Sequence, residues 1–340
     1  MRSIRVATLA LTLSTGLVLS ACSGETSSNG DQNTTPISVG NFVTASQLPF
    51  MVGTDQGVFE SAGLDVEIVG LTSGPAGISA LQNGSIHVMP LAASVAARAN
   101  QTGQDVRIIC GSQNGDWTSM WAQADSEIPD AGQVGDWTDV IQALRGKTIG
   151  VNALGGTDQI AVDNLLSAAG MSGEDVEYVA VGAGNRAVAA LNQGEIDALY
   201  AYPFNDLIAQ REGARRLFHV PSDLPAEMKD SLSAVWFSTT SWLEENPDTA
   251  AAFCEGMDMS IEFTRSTENL DAVSSIMQRD FDLGDPELAL EFVEGNMEFL
   301  STEINCESIE AMISLAVDQG GMSEGEFTDC ESNVWDRAER

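Results

Sequence analysis

GLDVEIVGLTSGPAGISALQNGSIHVM at residues 63–89 and GEDVEYVAVGAGNRAVAALNQGEIDAL at residues 173–199 decide the fold of this 340-residue chain. The two stretches align without a gap. Asp65-Val66-Glu67 falls on Asp175-Val176-Glu177, Gly74 on Gly184, Ala80-Leu81 on Ala190-Leu191, Gly84 on Gly194 and Ile86 on Ile196. Each copy reads as strand, glycine turn, helix, glycine turn, strand, which is a βαβ unit. Two such units in one register imply two α/β lobes of related build with ligand space between them.

Working outward, Ile37 to Val43 reads as a strand, and Pro49 suits the first turn of a helix that runs to about Ala62. After the first copy come a helix at Ala93–Ala99, a buried strand at Val106–Cys110 and an extended run at Thr118–Ala124. Pro129, Gly132 and Gly135 mark a loop-rich boundary. Lys147 to Val151 is a strand, and its turn, Asn152 to Asp158, opens a helix ending at Gly170. Ala234 to Thr239 is another extended run, beyond which the chain is almost wholly helical. Crossings near Ala124 and Ser233 therefore enclose a second lobe, 125–232, within a discontinuous first lobe, 37–124 and 233–340.

The N-terminus carries Arg2 and Arg5 ahead of an apolar stretch, Val6 to Leu19, that is short for a membrane span. It ends Leu19-Ser20-Ala21-Cys22, which resembles the lipobox of bacterial lipoproteins. That resemblance implies a signal peptide at 1–21, a lipidated Cys22 and an extracytoplasmic address on the outer face of the cytoplasmic membrane. Residues 22–36 are small and polar, a flexible tether.

The chain holds 15 basic and 50 acidic residues, a formal charge of −35. Such a field repels nucleic acid and anionic membrane surfaces. With the acids spread from Asp55 to Glu339, the charge reads as a solvated surface. Four cysteines remain after Cys22, and an exported chain favours pairing them, in any of three ways. Cys306 with Cys330 is the favoured pair, because the two flank the last helical stretch; Cys110 with Cys254 follows. No Cys-x-x-Cys or close His/Cys cluster calls for a metal, and no cofactor motif is present.

Several segments carry a family resemblance: Pro49 to Val52, Gly57 to Glu67, Ala80-Leu81-Gln82-Asn83-Gly84, Leu144-Arg145-Gly146-Lys147-Thr148-Ile149-Gly150-Val151 and Ala190 to Ala198. Together they resemble ABC-transporter solute-binding proteins serving sulfonates, taurine, nitrate and thiamine precursors. The likeness covers Ile37 to about Thr264. It implies a type II periplasmic-binding-protein fold, continued by a C-terminal helical extension, that clamps a small solute and hands it to a membrane permease, acting as a monomer. One departure is His87, where the family has Asp; Asp197 keeps it.

The site follows from where helices begin, since unpaired N–H groups there attract anions. Starts are readable after Thr44–Gln47, at Ser73-Gly74, at Ala93-Ser94 and at Gly156-Thr157. Ser46, Gln47, Ser73, Gly74, Ser94, Gly156 and Thr157 are therefore candidate ligand contacts, and Asn114 can add a hydrogen bond. Trp117, Tyr202 and Phe204 are placed to cover a flat or apolar part; Arg186, on the second copy's helix, reads more readily as solvated surface. The expected solute is a small organic anion, a sulfonate or carboxylate. An enzyme is disfavoured. Thiamine-pyrimidine synthases of this fold use a cysteine-rich segment and histidines, and this chain has only His87 and His219. A thiamine-pyrimidine-precursor binder, or a receptor signalling to a membrane kinase, remains the alternative.

Overall fold

The computed structural model describes residues 34–336 apart from 156, 183, 226–228, 230–232, 284 and 319. Cys22, the signal segment and nearly all of the tether lie outside the described residues, as does Gly156. Ten strands are present among the described residues: β1 (Thr35–Asn41), β2 (Leu64–Gly70), β3 (Met89–Ala92), β4 (Val106–Asn114), β5 (Ser119–Ala122), β6 (Thr148–Val151), β7 (Glu177–Ala180), β8 (Ala198–Ala201), β9 (Arg215–His219) and β10 (Ser233–Thr239).

They form sheets ordered β1-β2, β3-β10-β4 and β7-β6-β8-β5-β9. The first two are joined where Val39 bridges Val88 in parallel, so the order β2-β1-β3-β10-β4 matches β7-β6-β8-β5-β9. In each, the fourth strand runs antiparallel to both neighbours. It is also the first strand after the chain crosses over.

The repeat extends to its hydrogen bonds. Gly84 and Gly194, which end the two matching helices, both adopt φ of +73°, a conformation glycine takes without steric cost. Asp197 donates its N–H to Thr148 O (2.9 Å) and accepts the Thr148 N–H at Oδ2 (2.9 Å). His87 donates its N–H to Ser38 O (2.7 Å) and accepts the Ser38 N–H at Nδ1 (3.1 Å). The histidine thus performs the aspartate's task, and its ring stacks on Trp242 with centroids 5.3 Å apart.

Burial lowers the His87 pKa below 6.5. The neutral ring is the form that can accept at Nδ1, so folding favours the unprotonated state. The unfolded chain then binds more protons below about pH 6.5, and this contribution to stability is full above that pH and declines as pH falls. His219 is shifted the same way, first by burial. His87→Asp is expected to fold and to flatten the loss of stability between pH 7 and 5, read by urea unfolding across that range. A variant that keeps the full wild-type slope would remove His87 from the account.

Three sequence expectations are corrected here. β5 belongs to the five-stranded sheet, so the first crossing runs between Asn114 and Ser119 rather than near Ala124. The Pro129–Gly135 stretch is not that crossing. It leads into two short helices, Ala131–Val134 and Trp137–Gln142, capped by Asp130 and Asp136. The helix expected to reach Ala62 breaks at Gly57, whose φ is +72°, into Leu48–Asp55 and Val58–Ser61.

The C-terminal helices do more than extend the first sheet group. Pro247–Arg265 packs on Leu48–Asp55 so closely that a Cβ on Gly53 would sit 1.8 Å from Ser260 Oγ. Around this contact Phe50, Phe59, Trp236 and Phe253 form one aromatic cluster. Cys110 on β4 is bonded to Cys254 of that helix, and Cys306 is bonded to Cys330. The next two helices, Leu270–Phe281 and Pro286–Asn296, reach both sheet groups. Phe204 lies 4.6 Å from Phe281 and 4.9 Å from Phe292, centroid to centroid. Arg211 is paired with Asp285 and Glu291, and Arg279 with Asp55. No described helix is long and apolar enough to cross a membrane.

Candidate functional site

A cavity of about 630 Å³ opens at the carboxyl ends of the parallel strands of both sheet groups. The segments after β1 and β2 contribute Phe42 to Gln47 and Thr72 to Gly74, and those after β6 and β8 contribute Asn152, Ala153, Thr157, Asp158 and Tyr202 to Asn205. This is where ligands sit in open α/β sheets, because loops and helix starts converge there. Arg279 to Leu283, at the end of the helix Leu270–Phe281, close the remaining side.

Of the expected contacts, Ser46, Gln47, Ser73, Gly74, Thr157, Tyr202 and Phe204 line the cavity. Ser94, Asn114 and Trp117 lie outside that lining. Ala92, the residue before the Ala93–Gln101 helix, reaches the cavity, whereas Ser94 stands one place inside the helix. Asn114 donates to Glu303 O at 3.4 Å. Trp117 is 1% exposed and packs edge-on against Phe292 and Phe299, at 6.2 and 5.8 Å. It follows the crossing segment inward, so its large apolar face is claimed by the core. Trp121 is likewise buried, with Nε1 donating to Asp206 Oδ1 at 2.7 Å. Arg186 is exposed and outside the lining.

The lining mixes hydroxyl and amide groups with three carboxylates, and two of its buried oxygens are without a partner. Gln47 is 2% exposed; its Nε2 donates to Ser46 and Ser112, while its Oε1 has no partner. Asn152 Oδ1 is also buried and unpartnered. Asp158, 3% exposed, accepts the Asn152 N–H from the first turn of its own helix, Thr157–Ala168. Burial pushes its carboxyl above the usual range, and backbone N–H groups of Asn152, Asp158, Gln159 and Ala153 pull it back. The Arg279 guanidinium bonds Asp55 and, through Nε and Nη2, Asp280 (2.8–3.1 Å).

Sequence reasoning missed Asp158, although an acid in a helix's first turn was visible in the Asn152–Asp158 turn. It also missed Arg279 to Leu283. No local signal marks that segment, because only tertiary packing carries it to the strand ends. Among the described residues, no three His, Cys, Asp or Glu side chains come together to hold a metal.

The first crossing segment meets Lys229, a described residue of the stretch that leads to β10. Asp116 donates its N–H to Lys229 O at 2.6 Å. Its carboxylate accepts the Thr118 N–H (2.9 Å), the Thr118 hydroxyl (2.5 Å) and the Tyr200 hydroxyl (2.9 Å). Burial pushes this carboxyl up, against those three bonds.

A family profile described as NMT1/THI5 like matches residues 44–267. No curated protein matches the sequence significantly. Solved structures do. A protein from Bordetella bronchiseptica RB50 superposes with a TM-score of 0.69 at 20% identity, over 90% of this chain and 95% of its own. The periplasmic aliphatic sulphonate binding protein SsuA from Escherichia coli gives 0.67 at 14% identity, over 88% and 92%. The periplasmic nitrate-binding protein NrtA from Synechocystis PCC 6803 gives 0.68 at 13% identity, over 90% and 87%. At these identities the likeness shows a shared fold, that of periplasmic binding proteins.

Proposed function

We propose, from the premise that this chain belongs to the NMT1/THI5-like family, that it captures a small organic solute in the cavity and releases it unchanged to an ABC importer. The observation that carries this is a cavity lined from both sheet groups, between which the chain crosses after β4 and again before β10. On this reading residues up to the Gly115–Thr118 crossing, with those from Ser233 onward, form one lobe. Residues 119 to about 225 form the other, and the crossings are the hinge. The chain is a monomer held at the outer face of the cytoplasmic membrane by a lipid on Cys22. Cys22→Ser should abolish lipid attachment, as seen by mass spectrometry of the purified protein.

The names of the similar structures, sulphonate- and nitrate-binding, support the anionic solute expected from the helix starts. The polar lining of this chain's own cavity departs from that expectation.

Capture is tested by native mass spectrometry of the full chain for a co-purifying solute, beside an Ala153→Trp variant. Ala153 lines the cavity and is exposed, so the indole fills the space without disturbing the core. The expected result is a solute recovered intact from the wild type and lost from the variant. A solute chemically altered by the protein, or one still held by Ala153→Trp, would overturn the reading.

A further inference from the structure

We propose that the solute is a compact organic cation, with N–H donors on an ammonium- or amidinium-type group and an apolar body. This rests on the reading of the cavity as the capture site. Three observations carry it.

First, the lining has acceptors to offer and its cation is engaged. Three carboxylates, Asp158, Asp280 and Asp282, line the cavity against one guanidinium, Arg279. That guanidinium is bonded to Asp55 and Asp280. The buried oxygens Gln47 Oε1 and Asn152 Oδ1 have no partner. A buried acceptor without a donor is costly, so a ligand that supplies N–H groups relieves it, and one that supplies only oxygens does not.

Second, the helix starts that favoured an anion are largely closed. Ser73 caps its own helix by accepting the Ala76 N–H at 3.3 Å. The Thr157–Ala168 helix already holds the Asp158 carboxylate at its start. Proline stands in the first turn of Leu48–Asp55, Gly74–Gln82 and Pro203–Arg211, removing a donor from each. Ala93–Gln101 and Asn185–Asn192 begin without either device, so an anion would have to find its donors there.

Third, the 12-residue helix Leu270–Phe281 directs its C-terminal turn at the cavity, with Arg279 to Leu283 in the lining. That end carries partial negative charge, which favours a cation. The formal charge of −35 acts in the same sense at long range. Phe42, Tyr202 and Phe281 supply the wall for the apolar body.

The test uses a set matched in shape: benzamidine, benzamide, benzoate and benzenesulfonate, titrated by calorimetry into the full chain and into Ala153→Trp. Benzamidine should bind about tenfold or more tighter than either anion, and Ala153→Trp should abolish its binding. Gln47→Leu and Asp158→Asn should each weaken benzamidine several-fold, and Asp158→Asn should narrow its lead over benzamide. If benzoate or benzenesulfonate binds best and Ala153→Trp removes it, the cation is wrong while capture in the cavity stands. Benzamidine binding that survives Ala153→Trp overturns both readings. No binding by benzamidine overturns the cation alone.

Discussion

Trp117→Ala is expected to lower the stability of the protein by about 3–5 kcal/mol and to leave ligand affinity of the folded variant unchanged. The sequence placed this indole over the ligand. In the structure it is 1% exposed and wedged between Phe292 and Phe299, outside the cavity lining. Truncation removes a large apolar volume where the crossing segment meets the C-terminal helices and takes away the ring contacts to Phe292 and Phe299. Urea unfolding reads the stability, and calorimetry with any ligand bound by the wild type reads the affinity. A folded variant of normal stability that has lost tenfold or more in affinity would return Trp117 to the site. Phe204 is the opposite case. It lines the cavity while packing on Phe281 and Phe292, so Phe204→Ala should lower both quantities.

Removing the Cys110–Cys254 bond by a double alanine substitution should cost about 4–5 kcal/mol, against about 3–3.5 kcal/mol for Cys306–Cys330. The difference follows from the chain each bond closes, a separation of 144 residues for the first and 24 for the second. A longer loop loses more freedom in the unfolded state when it is tied. The first bond also joins β4 to the long helix Pro247–Arg265, across everything contributed by the second sheet group. Thermal unfolding of both variants beside the reduced wild type supplies the comparison. A larger loss from the Cys306–Cys330 variant would show that native-state contacts, rather than chain entropy, decide the order.

Much of this protein is legible in order along the chain. The two copies at 63–89 and 173–199 announced two related βαβ units, because side-chain period and glycine turns are local properties. The equivalence of His87 and Asp197 could be read in the alignment of the copies, though not that an imidazole Nδ1 and a carboxylate oxygen would accept the same strand N–H. Seven of the residues singled out at helix starts and strand ends do line the cavity, since those positions are set by topology.

What the sequence left open is decided by contacts distant along the chain. Ser119 to Ala122 is a short apolar run that suits either sheet. It joins β8 and β9 because hydrogen bonds and burial are available there. Trp117 and Phe204 are both aromatic residues beside turns, and local pattern does not separate them. The helices ending at Phe281 and Asn296 do, by burying one indole and leaving one phenyl at the cavity wall. The polar character of the cavity has the same origin. Asp158 is four residues past Leu154 in the sequence, but its meaning depends on Arg279 being held by Asp55 and on a helix end arriving from more than 100 residues away. Local patterning determines which elements form, while the electrostatics of a cavity depend on which elements meet, and that is a property of the folded chain alone.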